Sequence, residues 1–532
     1  MTDLDPRRWL RDARRAMARL PTLRLGRVPD APALPVRDPW PGDPGRGARL
    51  LKGELAIGGG VCALRPGDWA ATGPATLRAA AHGFSWLRDL RALGTDAARL
   101  RARALVSDWI AASPNDSVAQ RPDVIGARIA AWLGHYDFFA STADDGFRQK
   151  LMARLVGDAR GLSAALPAEE LDARALTALK GLIAAAVALP EHSGLLTRAL
   201  RFLPQEIARQ VLPDGCHVER SPAAHLTALQ DLTEIRALLQ ASQTPPPTVL
   251  AAAIERMAPA LRVLRHGDGG LALFNGSKEE TTALVDLVLT QAGRGGRGPS
   301  SLTNGGFQRM QAGRSLVLVD CGAPPPPGLD RFSHAGTLSL ELSIGRERLI
   351  VNCGAFPTGP DAWHDALRAT AAHSTLVLAD LSSSEIKPDG LGRRPDEVKA
   401  QHQEANGAHW LEAEHDGWRR TLGAVHRRRL YVAESGEDIR GEDMIEASQP
   451  LSFTVRFHLH PDVQVSMQQD GEAVLLRLRT GGGWRLRADG AKLSLEESIY
   501  FGGSEPRKTE QVVLTGTADG PQTVKWAIIK VG

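Results

Sequence analysis

The residues most able to do chemistry fall in two clusters. The first runs from His334 to His373 and reads His334-Ala-Gly-Thr-Leu-Ser-Leu-Glu-Leu-Ser-Ile344, Val351-Asn-Cys-Gly354 and Arg368-Ala-Thr-Ala-Ala-His-Ser-Thr375. If a second pair of strands carries His373 back beside His334, two histidines, a cysteine and an arginine could converge on one patch. His334, Cys353 and His373 can each bind zinc as well, with Cys353 and His373 as the tentative metal pair. Their wide separation gives no local ligand spacing, and a metal-free polar patch or simple packing is the other reading. No cofactor is otherwise required.

The second cluster is Asp214-Gly-Cys-His-Val-Glu-Arg-Ser-Pro-Ala-Ala-His225. Asp214-Gly215 marks a turn, and Ser221-Pro222 resembles a helix N-cap followed by proline in the first turn. His217, Glu219, Arg220 and His225 therefore sit on a loop and the start of a helix, where a scaffold can hold a binding site. Alternatively Glu219 and Arg220 pair to pin the loop while His225 packs. Arg128 and Tyr136, in Asp123-Val-Ile-Gly-Ala-Arg-Ile-Ala-Ala-Trp-Leu-Gly-His-Tyr136, could point into a central cleft, and helix packing explains them equally well. His266-Gly-Asp-Gly-Gly270 reads as a turn. His458-Leu-His460 puts two imidazoles on one face of a strand, with structural roles favoured.

Several chemistries are excluded by their missing signatures. No glycine-rich loop leads into Gly-Lys-Ser/Thr, and there is no G-x-S-x-G elbow or H-E-x-x-H helix. The stretch Gly293-Arg-Gly-Gly-Arg-Gly298 follows a helix, not a strand, which removes a Rossmann site.

The elements that must position these residues change character along the chain. From about 75 to 266, long Ala/Leu/Arg segments have helical periodicity, at roughly 76 to 92, 95 to 113, 123 to 140, 144 to 165, 171 to 189, 192 to 211, 222 to 241 and 247 to 265. Short connections make successive helices antiparallel neighbours, in a bundle, a solenoid or a closed ring of hairpins. No fixed repeat is found. From 305 onward, short alternating runs punctuated by Gly, Asp and Pro predict an all-β sandwich. Leu338, Leu340, Leu342 and Ile344 alternate with Ser339, Glu341 and Ser343, which predicts a strand with one buried and one polar face, followed by a turn at Gly345–Arg348.

Composition bounds the rest. The 532 residues exceed one core, and 43% hydrophobic with 23% charged residues is ordinary for a globular protein. A formal net charge of +3 is too weak for a nucleic-acid binder, though it suits an acidic ligand. The four cysteines lie far apart, which argues against a disulfide framework. No apolar run reaches membrane-spanning length. Residues 6 to 20 predict a basic amphipathic helix, packed on its own protein or lying on a membrane surface, and 28 to 48 an extended arm. With arginines interrupting every apolar stretch near the N-terminus, a cytoplasmic location is expected, with periplasm or envelope as the alternative.

Taken together, Asp214-Gly-Cys-His-Val-Glu-Arg-Ser-Pro222 with His225, His334-Ala-x-x-Leu-Ser339 with Glu341, Val351-Asn-x-Gly354 and Arg368-x-Thr-Ala-Ala-His-Ser-Thr375 resemble the heparinase II/III-like polysaccharide lyases. The chain is then an α+β multidomain protein: after the N-terminal basic helix and arm over 1–48, the resemblance implies an incomplete α/α toroid over 49–295 and an antiparallel β-sandwich over 296–532. It further implies a cleft for an acidic polysaccharide or oligosaccharide between toroid and sandwich, and cleavage of a uronic acid by β-elimination. His334 matches the family's sandwich histidine. His334, His225 and His217 become the candidate catalytic residues, and Glu219, Arg220, Arg128, Tyr136 and Arg368 the candidate substrate-binding ones.

The chain departs from the family pattern at three places. Ala224 stands where active members carry a tyrosine, no Asn or His is evident in Ala175–Leu182, and Gly336 replaces a common aspartate. Either His217 or His225 supplies another base, or the chain keeps a glycan-binding or envelope-assembly role without the elimination. Hydrolysis by paired carboxylates is a third, weaker possibility. The oligomeric state stays open, a dimer among the options.

Overall fold

The computed structural model describes residues 28–67, 69, 73–168, 172–192, 194–293, 298–468 and 471–531. The predicted basic helix at 6 to 20 and most of the glycine-rich stretch 293–298 lie outside them. The described residues fall into two compact units, one within 1–210, 227–254 and 357–360, the other within 211–226, 255–356 and 361–532.

The first unit is helical. Its helices include Asp96–Ala112, Pro122–Gly134, Asp145–Ala165, Arg174–Ala188 and Gly194–Gln210, close to the ranges that periodicity predicts. Thr95 and Asp144 cap two of them by accepting a hydrogen bond from the third residue onward, replacing backbone partners that a helix start lacks. Pro122–Gly134 and Arg174–Ala188 cross closely at two glycines. A Cβ on Gly181 would lie 2.3 Å from the Cα of Gly126, so both must lack side chains. Phe84, Trp109 and Trp132 pack edge to face in the middle of this unit, at centroid separations of 5.2 to 5.8 Å.

The second unit is a sandwich of two antiparallel sheets. One has nine strands, in the order Lys492–Tyr500, Arg507–Ala518, Leu451–Leu459, Glu347–Val351, Leu340–Ile344, Ser315–Asp320, Phe307–Ala312 and Ser301–Leu302, with Leu376–Leu378 pairing with Leu451–Leu459. The other has eight, running Val398–Ala405, Ala408–Trp418, Ala424–Val432, Asp438–Glu446, Gln522–Val531, Gly483–Asp489, Ala473–Arg477 and Gln464–Gln468. Leu340, Leu342, Leu376, Phe453, Leu411, Leu430 and Trp526 meet between them in one core. The helix Thr282–Ala292, absent from the sequence-based set, is an addition.

One expectation is corrected. Leu340–Ile344 was expected to bury one face, yet all five residues are buried. The reason is a third layer: Cys216, Ala260, Leu264 and Phe274 pack on Leu316 and Leu318, covering the outer side of the nine-stranded sheet. Glu341, fully buried there, pairs with His266 at 2.7 Å and accepts from the Asn352 side chain at 3.1 Å. A buried carboxylate needs such partners. The segment read as a turn at His266 does turn, Gly269 N–H donating to His266 O at 3.0 Å, and its imidazole reaches the covered outer face of the nine-stranded sheet.

Candidate functional site

His334 lies in a loop held from several sides. Its backbone N–H donates to Asn275 Oδ1 at 3.1 Å. On either side, Arg368 donates from Nε to Ser333 O at 3.0 Å and accepts from Ala335 N–H at its own carbonyl, 2.8 Å away. Thr370 and Ser383 hydroxyls both donate to Ala335 O, at 2.6 and 3.1 Å. Four residues on, Leu338 adopts φ 62°, a left-handed conformation that a bulky side chain resists. It persists because Leu338 N–H donates to Asp320 O at 2.8 Å and Leu338 O accepts from Arg428 Nη1 at 2.8 Å.

The two histidines meet, His334 Nδ1 lying 3.0 Å from His373 Nε2. His373 Nδ1 is 2.8 Å from Ala369 O, which can only accept, so Nδ1 carries the proton and Nε2 is bare. His334 Nδ1 must then be the donor to His373, and in the neutral form its own Nε2 keeps a lone pair. No hydrogen bond from that Nε2 occurs among the described residues. Burial is the chief cause holding His334 well below the ordinary histidine range, with His373, Arg368 and His364 adding repulsion. His373 is pushed down to about 4, again mainly by burial. Gly336 makes the pairing possible, since a Cβ there would sit 2.6 Å from His373 Cδ2.

The Asp214–His225 cluster belongs to the same unit as His334. Arg220, at φ 53°, sends its guanidinium to Asp320 and Gly305 O and lies 5.0 Å over the Phe307 ring. Asn275 Nδ2 donates to Arg220 O at 3.0 Å, so one asparagine ties this loop to His334. His225 has both ring nitrogens engaged: Nε2 donates to Met257 O at 2.9 Å, and Nδ1 accepts from His217 N–H at 3.3 Å. Burial pushes it down to about 4. His217 is fully buried, with Nδ1 3.4 Å from Glu219 N and 3.7 Å from Glu219 Oε1.

The remaining predicted residues are placed as follows. Arg368 Nη1 and Nη2 donate to Lys387 O and Gly390 O, so with Ser333 its guanidinium serves three carbonyls. Arg128, in the other unit, is fully buried, bonds Asp158 through Nε and Nη2, and stacks 4.3 Å over Trp109. Tyr136 is buried in that unit too, its hydroxyl without a hydrogen-bond partner among the described residues. Cys353 and His373 turn to different partners. Cys353 Sγ lies 3.4 Å from His458 Nδ1, and burial pushes its thiol up to about 12, which disfavours the thiolate that binds zinc. No group of three or more His, Cys, Asp or Glu among the described residues is placed to hold a metal ion. His458 and His460 also diverge, one to Ala371 O and Ser498, the other beside Glu279 and Tyr500.

Sequence reasoning missed Asn275, Asp320 and Arg428. Asn275 stands in Phe274-Asn-Gly276, which reads as a break between patterns, and its side chain's role had no local signal.

The family model described as Heparinase II/III N-terminus matches residues 102–293, and the one described as Heparinase II/III-like, C-terminal matches residues 294–527. The chain belongs to the heparinase II/III-like family. A curated member, FtsZ-localized protein C of Caulobacter vibrioides (strain NA1000 / CB15N), is 32% identical over 518 residues, covering 93% of this chain and 89% of that protein. The crystal structure of heparinase III superposes with a TM-score of 0.76 at 14% identity, over 98% of this chain and 89% of that one. Heparan sulfate lyase HepC from Pedobacter heparinus gives 0.58 at 15% identity, over 98% and 87%. These heparinase-family structures share the toroid and β-sandwich fold. No helix among the described residues is long and apolar enough to cross a membrane.

Proposed function

We propose that this heparinase II/III-like chain binds an acidic saccharide at His334, and that any β-elimination there is slow. The observation that carries the reading is the relay Ala369 O, His373, His334, which leaves the His334 Nε2 lone pair free. A buried neutral imidazole lacks a counter-charge. A uronate carboxylate would supply one, so ligand and proton bind together.

Elimination asks for more. The carboxylate must be neutralised, a base must take the C5 proton, and an acid must protonate the departing oxygen. His334 is a weak base in this setting. Arg220, Arg368 and Arg128 are engaged with Asp320, three carbonyls and Asp158. His225 and His217 fasten their loop. Tyr500 donates to Glu279 and Tyr431 stands on the eight-stranded sheet, neither near Ala224 in sequence. A second reading, elimination with His334 as both base and acid, is favoured by its free Nε2 alone.

Calorimetry with a panel of uronate polymers in buffers of different ionisation heat tests the first reading. Binding that takes up protons, tightens as pH falls from about 7.5 to about 6 and disappears in His334→Ala is expected. No binding across the panel removes the proposal. A rapid ultraviolet absorbance rise from unsaturated product, lost in His334→Ala, would replace it with full lyase activity. The Caulobacter relative is named as FtsZ-localized, and we carry that localisation to this chain as part of the proposal. A fluorescent fusion that stays diffuse while FtsZ forms its ring would refute it.

A further inference from the structure

The outer face of the eight-stranded sheet bears an aromatic patch unrelated to His334. Along this sheet Leu411, Leu430 and Ile439 point inward to the core, so their neighbours in sequence point out. Strand register places Gln403, Trp410, Tyr431 and Arg440 in one row across four strands. The next outward row holds Gln401, Glu412, Arg429 and Glu442. The two rows line an open depression of about 470 Å³. Trp410 is 43% exposed, and its ring lies 5.3 Å from that of Tyr431 at 45°. Two aromatic rings thus lie side by side on a strand pair, and it is such a cluster, not a single exposed ring, that marks an interaction site.

The surroundings select the ligand. Arg429 pairs with Glu412 at 3.2 Å, Arg440 with Asp438 at 2.7 Å, and Glu442 with Lys525 at 3.8 Å. Each charge has its opposite beside it, so the patch offers a polyanion no excess of cations. A lipid chain or an apolar helix face would cover the ionic row and strip its water without replacing the hydrogen bonds. A pyranose matches both features. Its C–H face can lie on an indole ring, while its ring of hydroxyls meets the amides, guanidinium groups and carboxylates as donor and acceptor at once.

We propose that this face is a docking platform for a neutral pyranose saccharide, stacked on Trp410 and Tyr431. The platform does not depend on whether His334 binds acidic saccharide. Both aromatic residues are outward-facing, so their replacement should leave the core intact.

Titration of the full chain with cello-, malto- and chito-oligosaccharides, followed by tryptophan fluorescence and calorimetry, is the test. At least one series should bind, and Trp410→Ala should weaken it by about tenfold or more, equivalent to one lost stacking contact. Trp410→Phe should recover part of the affinity. Equal circular dichroism and melting of wild type and Trp410→Ala establish that folding is unaffected. Should Trp410→Ala melt early, Gln403→Ala provides the same comparison from the polar side of the row. Three outcomes overturn the proposal: no binding by any of the three series, unchanged binding in Trp410→Ala and Gln403→Ala, or preference for an acidic polymer that Trp410→Ala abolishes.

Discussion

Gly336 decides whether two imidazoles can meet. Its missing side chain is the space into which the His373 ring fits, so Gly336→Ala should push His373 away from His334. The expected cost is about 1–3 kcal/mol of stability, typical of overpacking a filled interior. Saccharide binding at His334 should fall with it, and calorimetry beside a denaturant melt would show both. An unchanged melt with unchanged binding would mean that the loop absorbs the methyl group. Much of this site was legible as residue types: His334, His373 and Arg368 were singled out, and the structure brings all three together. What escaped was how they are held. Arg368 was expected to meet a ligand, yet its guanidinium is spent on three carbonyls, because a loop without helix or strand bonding must satisfy its backbone by other means.

Elements raise a different question, that of fit between neighbours. At the crossing of Pro122–Gly134 and Arg174–Ala188, Gly181→Ala gains about 1 kcal/mol of helix propensity but drives a Cβ into the Gly126 backbone. The clash should win, giving a lower melting temperature. Gly157→Ala, in Asp145–Ala165, meets nothing within 4 Å and should raise it. Opposite signs for the same substitution in two helices would establish the close approach; equal signs would dismiss it. Within the sandwich, Arg428 bonds Asp443 through two nitrogens and also donates to Leu338 O and Ser374 O, tying the eight-stranded sheet to the histidine loop. Arg428→Met leaves the buried Asp443 charge without its main partner, at a cost of about 3–5 kcal/mol by urea denaturation. Helix periodicity located most of the described helices of the first unit but missed Pro44–Leu51, read as the end of an extended arm, where Asp43 caps the helix start by accepting from Arg46 N–H. The layering of the sandwich was not legible, because Glu341 and Ser343 look like part of a solvent face until His266 is known to bond both of them.

For the molecule as a whole, acid is the expected weakness. Twelve of the fifteen histidines are held below their ordinary range, chiefly by burial. A histidine neutral in the fold but free to protonate when unfolded stabilises the fold above its unfolded pKa of about 6.5, and loses that contribution as pH falls toward the folded value. For His225 and His373 that window runs from about 6.5 down to about 4. Stability should therefore be level above about pH 7 and drop steeply below about pH 6, before most carboxylates titrate. Denaturant midpoints that stay constant down to pH 5 would contradict this.

One feature of the fold also bears on how such a protein can be inherited. Residues 211–226 and 255–292 precede the match to the C-terminal family model, yet they belong to the unit that contains both sheets. Asn275 holds His334, Arg220 holds Asp320, His266 holds Glu341, and Phe274 stacks near Phe307. A genetic crossover between two relatives at residue 294 would draw one member of each pair from either parent. Recombination at that seam therefore splits four partnerships at once, and the late helical segment must travel with the sheets as a single heritable block.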